Sequence, residues 1–156
     1  MRFFVVAPSR AGQAGVRVQR LSVSAMMIET MQLIFVRGGP GMSDCIFCKI
    51  IEGSIPSKKV LENDQVLAFH DIQPAAPVHV LIIPKKHIPT MNDVTAEDGE
   101  TIAAVFAAAR EIAAELGIAE SGYRLINNCN SEGGQVVYHL HVHLLGGEPL
   151  GPLLAH

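Results

Sequence analysis

The sequence predicts an α+β domain: an antiparallel sheet of about five strands with one long helix on one face. Three observations carry this expectation. Between Thr95 and Gly117, Ile102, Val105, Phe106, Ala109, Ile112, Ala113 and Leu116 recur at helical spacing, which gives a helix with a buried stripe. Short β-type runs bounded by Pro, Gly or Asn-Asp lie on both sides of that helix. From His139 to Leu144 histidine alternates with an aliphatic residue, the period of a strand whose two faces differ chemically.

The elements follow in order. Cys45 to Glu52 reads as a short apolar turn or helix closed by Gly53 and Pro56. Lys59 to Glu62 and Val66 to Phe69 are strands, and the turn pair Asn63-Asp64 between them makes a hairpin. Pro74 and Pro77 bracket a loop, and Val78 to Ile83 forms the next strand, stopped by Pro84. Thr95 opens the helix, with Asp98 three residues on as a capping-box partner, and Gly117 ends it. Arg124 to Asn127 and Val136 to Leu145 supply the last two strands, separated by a glycine loop. No internal repeat is present.

A chain of 156 residues suits one domain with one core. Its first 41 residues have a different composition. They hold five arginines (Arg2, Arg10, Arg17, Arg20, Arg37) against one acid, Glu29, for a charge of +4; seven basic and fourteen acidic residues leave −7 for 42–156. Arg-rich, Ser-containing, acid-poor sequence resembles an organellar transit peptide. The preferred expectation is a flexible N-terminal extension or a start assigned too early, with the compact domain at 42–156 and a cytoplasmic location. Met31 to Val36 form a short local element at most.

A net charge of −3 gives no means of neutralising a phosphate backbone, and the absence of Trp removes base-stacking platforms. Nucleic acid is therefore not expected as a partner. No apolar run reaches the roughly 18 residues of a membrane span, so no membrane partner is expected either. Three cysteines, 45, 48 and 129, do not make a disulfide framework. Cys45-Ile-Phe-Cys48 reads as reduced thiols or metal ligands.

Three readings fit the imidazoles of His139, His141 and His143 on one strand face: structural groups, ligands of one metal, or a nucleophilic and proton-handling set. Each buried imidazole needs partners for two ring nitrogens, which weighs against the first. Leu140, Val142 and Leu144 point the other way, toward the helix stripe. Just upstream lies Asn127-Asn128-Cys129-Asn130-Ser131-Glu132-Gly133-Gly134-Gln135, where a Gly-Gly step lets backbone N–H groups converge on an anion. An anion seat beside imidazoles is what phosphoryl or nucleotidyl transfer requires. Histidine, with a pKa of about 6.5, can act there as a neutral nucleophile beside a protonated donor. The middle ring, His141, is the expected nucleophile, forming a nucleotidyl-histidine that water resolves.

The pattern HLHVHLL, with CIFCKII, LAFHDIQPAAPVHVLIIPKKHI, GGQVVYHLHVHLLGG and the tail GEPLGPLLAH, resembles the histidine triad family in its nucleotide-binding-protein branch. The likeness runs from about Cys45 to the end. It implies a homodimer that binds purine nucleotides and hydrolyses nucleoside phosphoramidates. By resemblance His141 attacks the α-phosphorus, His143 contacts the phosphate, and His139 and His79 support them. Asp71 and Ile72 match positions at the ribose and base, and Asn128, Gly134 and Gln135 match the phosphate loop. Val136 stands where the family usually has Ser or Thr, whose hydroxyl a valine methyl does not replace; slower turnover is the expectation.

The resemblance also implies a zinc set at Cys45, Cys48, His87 and His139, structural and not required for chemistry. A metal-dependent hydrolase, a non-catalytic nucleotide- or partner-binding module and a dinucleoside polyphosphate hydrolase stand as alternatives. Lys85 and Lys86 read as a solvated turn, His70 as base-packing or surface, and Tyr123 and Tyr138 as core or interface. His156 has no place assigned by sequence.

Overall fold

The computed structural model describes residues 44–153. The segment 1–41, the element expected over Met31 to Val36, and His156 lie outside the described residues. Helix α1 (Ile46–Ile51) is followed by strands β1 (Lys59–Glu62), β2 (Val66–His70) and β3 (Val78–Pro84). Two 3-10 turns (Met91–Asp93 and Ala96–Asp98), helix α2 (Gly99–Glu115) and strands β4 (Tyr123–Ile126) and β5 (Val142–Gly146) complete the order. The five strands form one antiparallel sheet ordered β1-β2-β3-β5-β4.

Period-two alternation sorts the central strands onto two faces. Val66, Ala68, Val80, Ile82, Val142 and Leu144 meet Val105, Ala108, Ala109, Ile112 and Ala113 of α2. Leu67, Phe69, Leu81 and Ile83 point to the opposite face, where Phe47 and Ile50 of α1 cover them. β3 is therefore almost wholly buried. The sheet is covered on both faces, not on the α2 face alone. α1 is only six residues long, and the histidines gather beside its Phe47 at one end of that face.

Local chemistry sets the boundaries. Asn63 Oδ1 accepts from the N–H groups of Gln65 and Val66, each at 2.9 Å, which closes the expected β1–β2 hairpin. The Thr95–Asp98 capping box forms as expected, with Asp98 Oδ2 accepting from the Thr95 N–H at 2.9 Å. Its first turn is 3-10, however, and the α-helix begins only at Gly99. Lys86 donates to the buried Asp98 carboxylate at 2.6 Å, and this bond, more than the Thr95 contacts, holds the Asp98 pKa down to about 2. Lys85 reaches Glu62 at 2.9 Å. Both lysines of the expected solvated turn thus tie neighbouring elements together.

Three expectations need correction. Phe106 does not join the buried stripe; it is 54% exposed, since it follows Val105 by about 100° of helical turn and faces away from the sheet. Tyr123 and Tyr138 are exposed in the single chain and form no part of its core. The last strand does not run from Val136 to Leu145 but begins at Val142. β3 ends at Pro84, which has no N–H for the ladder. Past that point the Leu140 N–H turns to the Ile88 carbonyl instead, at 2.6 Å. His139 and His141 therefore stand on a bent segment beyond the sheet, and His143 alone of the three is in the strand.

Ile112 is fully buried at the centre of the α2 contact. Ile112→Ala is expected to remove about 3 kcal/mol of unfolding free energy, read as a lower urea midpoint at unchanged slope.

Candidate active site

The four histidines form a hydrogen-bonded set whose tautomers follow from their partners. The Ala75 N–H donates to His79 Nδ1 at 3.1 Å, so the His79 proton sits on Nε2. His79 Nε2 then donates to His143 Nδ1 at 2.9 Å, leaving the His143 proton on Nε2. Asp71 Oδ2 lies 3.6 Å from His79 Nε2 and supports the relay electrostatically. His141 is fixed separately. Its Nδ1 lies 2.7 Å from the His139 carbonyl oxygen, which can only accept, so Nδ1 carries the proton and Nε2 presents a lone pair. The pattern yields a nucleophilic nitrogen on His141 and a donor N–H on His143, with ring centroids 5.0 Å apart.

Burial reinforces these states. It pushes the His143 pKa down to about 4, and the neighbouring His141 and His79 push the same way. Burial also lowers His79, against the pull of Asp71. His139 is fully buried, and desolvation brings its pKa to about 4. All three rings are therefore neutral near pH 7.

His139 faces a second cluster. Its Nε2–H donates to the Pro84 carbonyl at 2.9 Å, so its Nδ1 carries a lone pair. That atom lies 3.5 Å from Cys45 Sγ, 3.6 Å from Cys48 Sγ and 3.2 Å from His87 Nδ1. Cys48 Sγ is 3.3 Å from His87 Nδ1. A tetrahedral zinc with bonds of about 2.3 Å to sulfur and 2.0 Å to nitrogen requires edges of about 3.3 Å for N···N and 3.5 Å for N···S. The donor set fits. Burial, and next the adjacent Cys45, raise the Cys48 pKa to about 11; a bound cation would reverse that preference.

The glycine loop lies between β4 and the histidine segment in the chain. Gly134 has φ +77, and a Cβ on Gly133 would lie 2.4 Å from the Cys129 carbonyl oxygen, so the tight path admits glycine. Asn128 stands beside it, its Nδ2 4.0 Å from the place of a Gly134 Cβ. Gln135 is buried and bonded within the protein. Its Oε1 accepts from the Asn130 N–H at 2.9 Å, and its Nε2 donates to the Pro89 and Val137 carbonyls at 2.8 and 3.0 Å. Gln135 holds the loop in shape. Val136 follows at 88% exposure on the rim. Asp71 accepts from the Gln73 N–H at 2.8 Å in a turn that leaves Ile72 95% exposed, an apolar side chain open to a flat ligand.

Sequence reasoning missed two contributors. Phe47 packs edge-on against both His139 and His141, at centroid distances of 5.9 and 5.4 Å. Asn127 donates from Nδ2 to the His141 carbonyl at 2.8 Å. Phe47 lay in a helix with no visible link to the histidines. Asn127 carried a signal, since alternation puts it on the opposite face from Asn128.

Fold and site together define an α+β protein with clustered imidazoles at one end of a two-faced sheet and a glycine-built loop just upstream of them in the chain. Residues 52–150 match the HIT domain family. The purine nucleoside phosphoramidase of Escherichia coli (strain K12) is 57% identical over 113 residues, covering 72% of this chain and 95% of that protein. A HIT family hydrolase from Legionella pneumophila Philadelphia 1 superposes with TM-score 0.68 at 53% identity, covering 69% of this chain and 96% of its own. One from Clostridium thermocellum gives 0.70 at 49% identity, over 72% and 97%. The chain belongs to the HIT domain family.

The His143 shift sets a pH dependence. Its folded pKa, about 4, lies below the unfolded value of about 6.5, so between them the unfolded chain binds the extra proton. Stability is full above pH 6.5 and is lost as pH falls toward 4. After discounting for partial exposure, His143 costs about 1 kcal/mol at pH 5. Urea midpoints should fall between pH 7 and pH 5, and His143→Gln should flatten that fall.

Proposed function

We propose that this chain hydrolyses purine nucleoside 5′-phosphoramidates through a covalent nucleotidyl intermediate on His141, and that it works as a homodimer. The observation that carries the mechanism is the 2.7 Å bond from His141 Nδ1–H to the His139 carbonyl, which leaves Nε2 as the ring nitrogen available for attack. The 57% identity to a purine nucleoside phosphoramidase supports the substrate class.

Backbone N–H groups of the Gly133-Gly134 turn and the side chain of Asn128 hold the α-phosphate oxygens, and the Nε2–H of His143 donates to one of them. Ile72 lies against the purine and the Asp71 carboxylate meets the ribose hydroxyls. His141 Nε2 attacks the α-phosphorus as the P–N bond breaks; the leaving nitrogen takes a proton from solvent and departs as the amine. A water then attacks the same phosphorus, the P–Nε2 bond breaks, and the nucleoside monophosphate is released with the His141 lone pair restored. Fixed tautomers mean that no ring has to rotate before attack, which lowers the reorganisation needed at the transition state.

Cys45, Cys48, His87 and His139 are proposed to hold a structural zinc. When bound it supplies a cross-link between α1, the segment after β3 and the histidine segment. With four protein donors, a bound ion would serve structure. Its thiolates suit a reducing compartment, in keeping with a cytoplasmic location. His139 belongs to both clusters, so a loaded site stiffens the carbonyl that orients the nucleophile.

Incubation with adenosine 5′-phosphoramidate should release AMP and leave a trappable adenylyl adduct on His141 by mass spectrometry. His141→Ala should lower the rate by 10³-fold or more while AMP still binds; retention of hydrolysis in that variant would overturn the assignment. Val136→Ser should raise kcat several-fold with little change in KM. Elemental analysis of the purified chain should find zinc near one per chain, lost in the Cys45→Ser/Cys48→Ser double variant, with His141-dependent turnover persisting at a reduced rate.

A further inference from the structure

We infer that Asn127 is a positioning residue for His141, acting through the nucleophile's main chain. The inference rests on the phosphoramidase reading only for the reaction it names; the contact itself is independent of it. β5 begins at Val142, so the carbonyls of residues 139–141 lie past the ladder and need other partners. The His141 carbonyl accepts from Asn127 Nδ2 at 2.8 Å.

The placement of that amide is unusual for its surroundings. Asn127 directly follows β4, and the register Leu125↔Leu144, Ile126↔His143 sets it opposite Val142 on the α2 side of the sheet. There a recess of about 170 Å³ is lined by Ile102, Phe106, Leu140 and Val142 among other apolar side chains, and Asn127 is the one polar residue in its lining. The amide does what an apolar group does not: it holds the peptide from which the nucleophile hangs.

His141 is thus secured from both sides of its strand. On the site face, its ring is fixed by the His139 carbonyl; on the helix face, its own carbonyl is fixed by Asn127. Loss of the second anchor frees the peptide to rotate and carries Nε2 away from its line to phosphorus. Misplacing a reacting atom by about 1 Å costs about 10²-fold in rate. One released anchor on a bent segment moves the ring by less, so a drop of about tenfold is expected. The phosphate, ribose and base contacts lie on the other face and are unaffected. Asn127 is exposed in the single chain, and pairing of this face with a second copy would shield the bond from water.

The test compares Asn127→Asp, which sets an acceptor against the carbonyl, Asn127→Leu, which keeps packing without the bond, and Asn127→Gln, which keeps the donor on a longer arm. With adenosine 5′-phosphoramidate, the Asp and Leu variants should lose about tenfold in kcat, with AMP affinity by calorimetry within twofold of the parent and Gln recovering part of the loss. The ¹⁵N signals of the His141 ring, assigned by comparison with His141→Ala, should shift from a single Nδ1–H tautomer toward a mixture in Asp and Leu, without substrate present. Unchanged kcat and unmoved His141 signals in both would overturn the proposal. So would a kcat loss that merely follows the urea midpoint or the dimer mass. If the parent chain fails to hydrolyse the phosphoramidate, the reaction assignment falls, and the ring signals still decide whether Asn127 holds His141.

Discussion

The site depends on a ladder that stops. β3 and β5 pair through Ile82 and Val142, and two residues later Pro84 offers a carbonyl but no N–H. The chain opposite is released from the sheet there, and its groups find other partners. The ring of His139 donates to the Pro84 carbonyl and turns its free nitrogen toward two thiols and a second imidazole. Its own carbonyl, freed from any strand, takes the proton of His141. A regular strand would have committed that carbonyl to a neighbour and left the His141 tautomer undetermined. The end of the ladder at Pro84 thus leaves two differently employed rings: His139 turns to the thiols, and His141 is held through Nδ1.

The same sheet separates structural and chemical duties by face. Alternation along β2, β3 and β5 sends one set of aliphatic side chains to α2 and the other to α1. The α1 face also carries His79 and His143, cross-strand neighbours of Leu145 and Leu81. Burial there lowers the pKa of both imidazoles and keeps them neutral near pH 7. Membership of the HIT domain family accounts for this plan. The chain's own details include Asn127 bonded to the His141 carbonyl and an exposed Val136.

Much of this was legible in the residues. Helical spacing and the Thr95–Asp98 pair located the long helix to within one turn, and the Asn63-Asp64 hairpin formed where expected, because these signals act over four or five residues. The buried status of Phe106 was misread because the seven-member stripe from Ile102 to Leu116 is broader than the face the helix turns to the sheet. Tyr123 and Tyr138 were read as core or interface, and their exposure within the chain removes the core half of that reading. Asn127 and Phe47 went unread because their partners are fourteen and more than ninety residues away, a distance no local pattern spans.

What the sequence by itself determined was the set of ingredients and their faces. Period two and period 3.6 are properties of the backbone, so His143 and Leu144 take opposite faces, and the apolar positions of the long helix fall along one side. Only the tertiary structure decided where the last strand begins, which tautomer each ring holds, and that His139 looks toward Cys45 and Cys48. Those outcomes depend on which donor or acceptor a group meets across the fold once a neighbouring strand runs out of N–H groups. That meeting is set by packing, not by spacing along the chain.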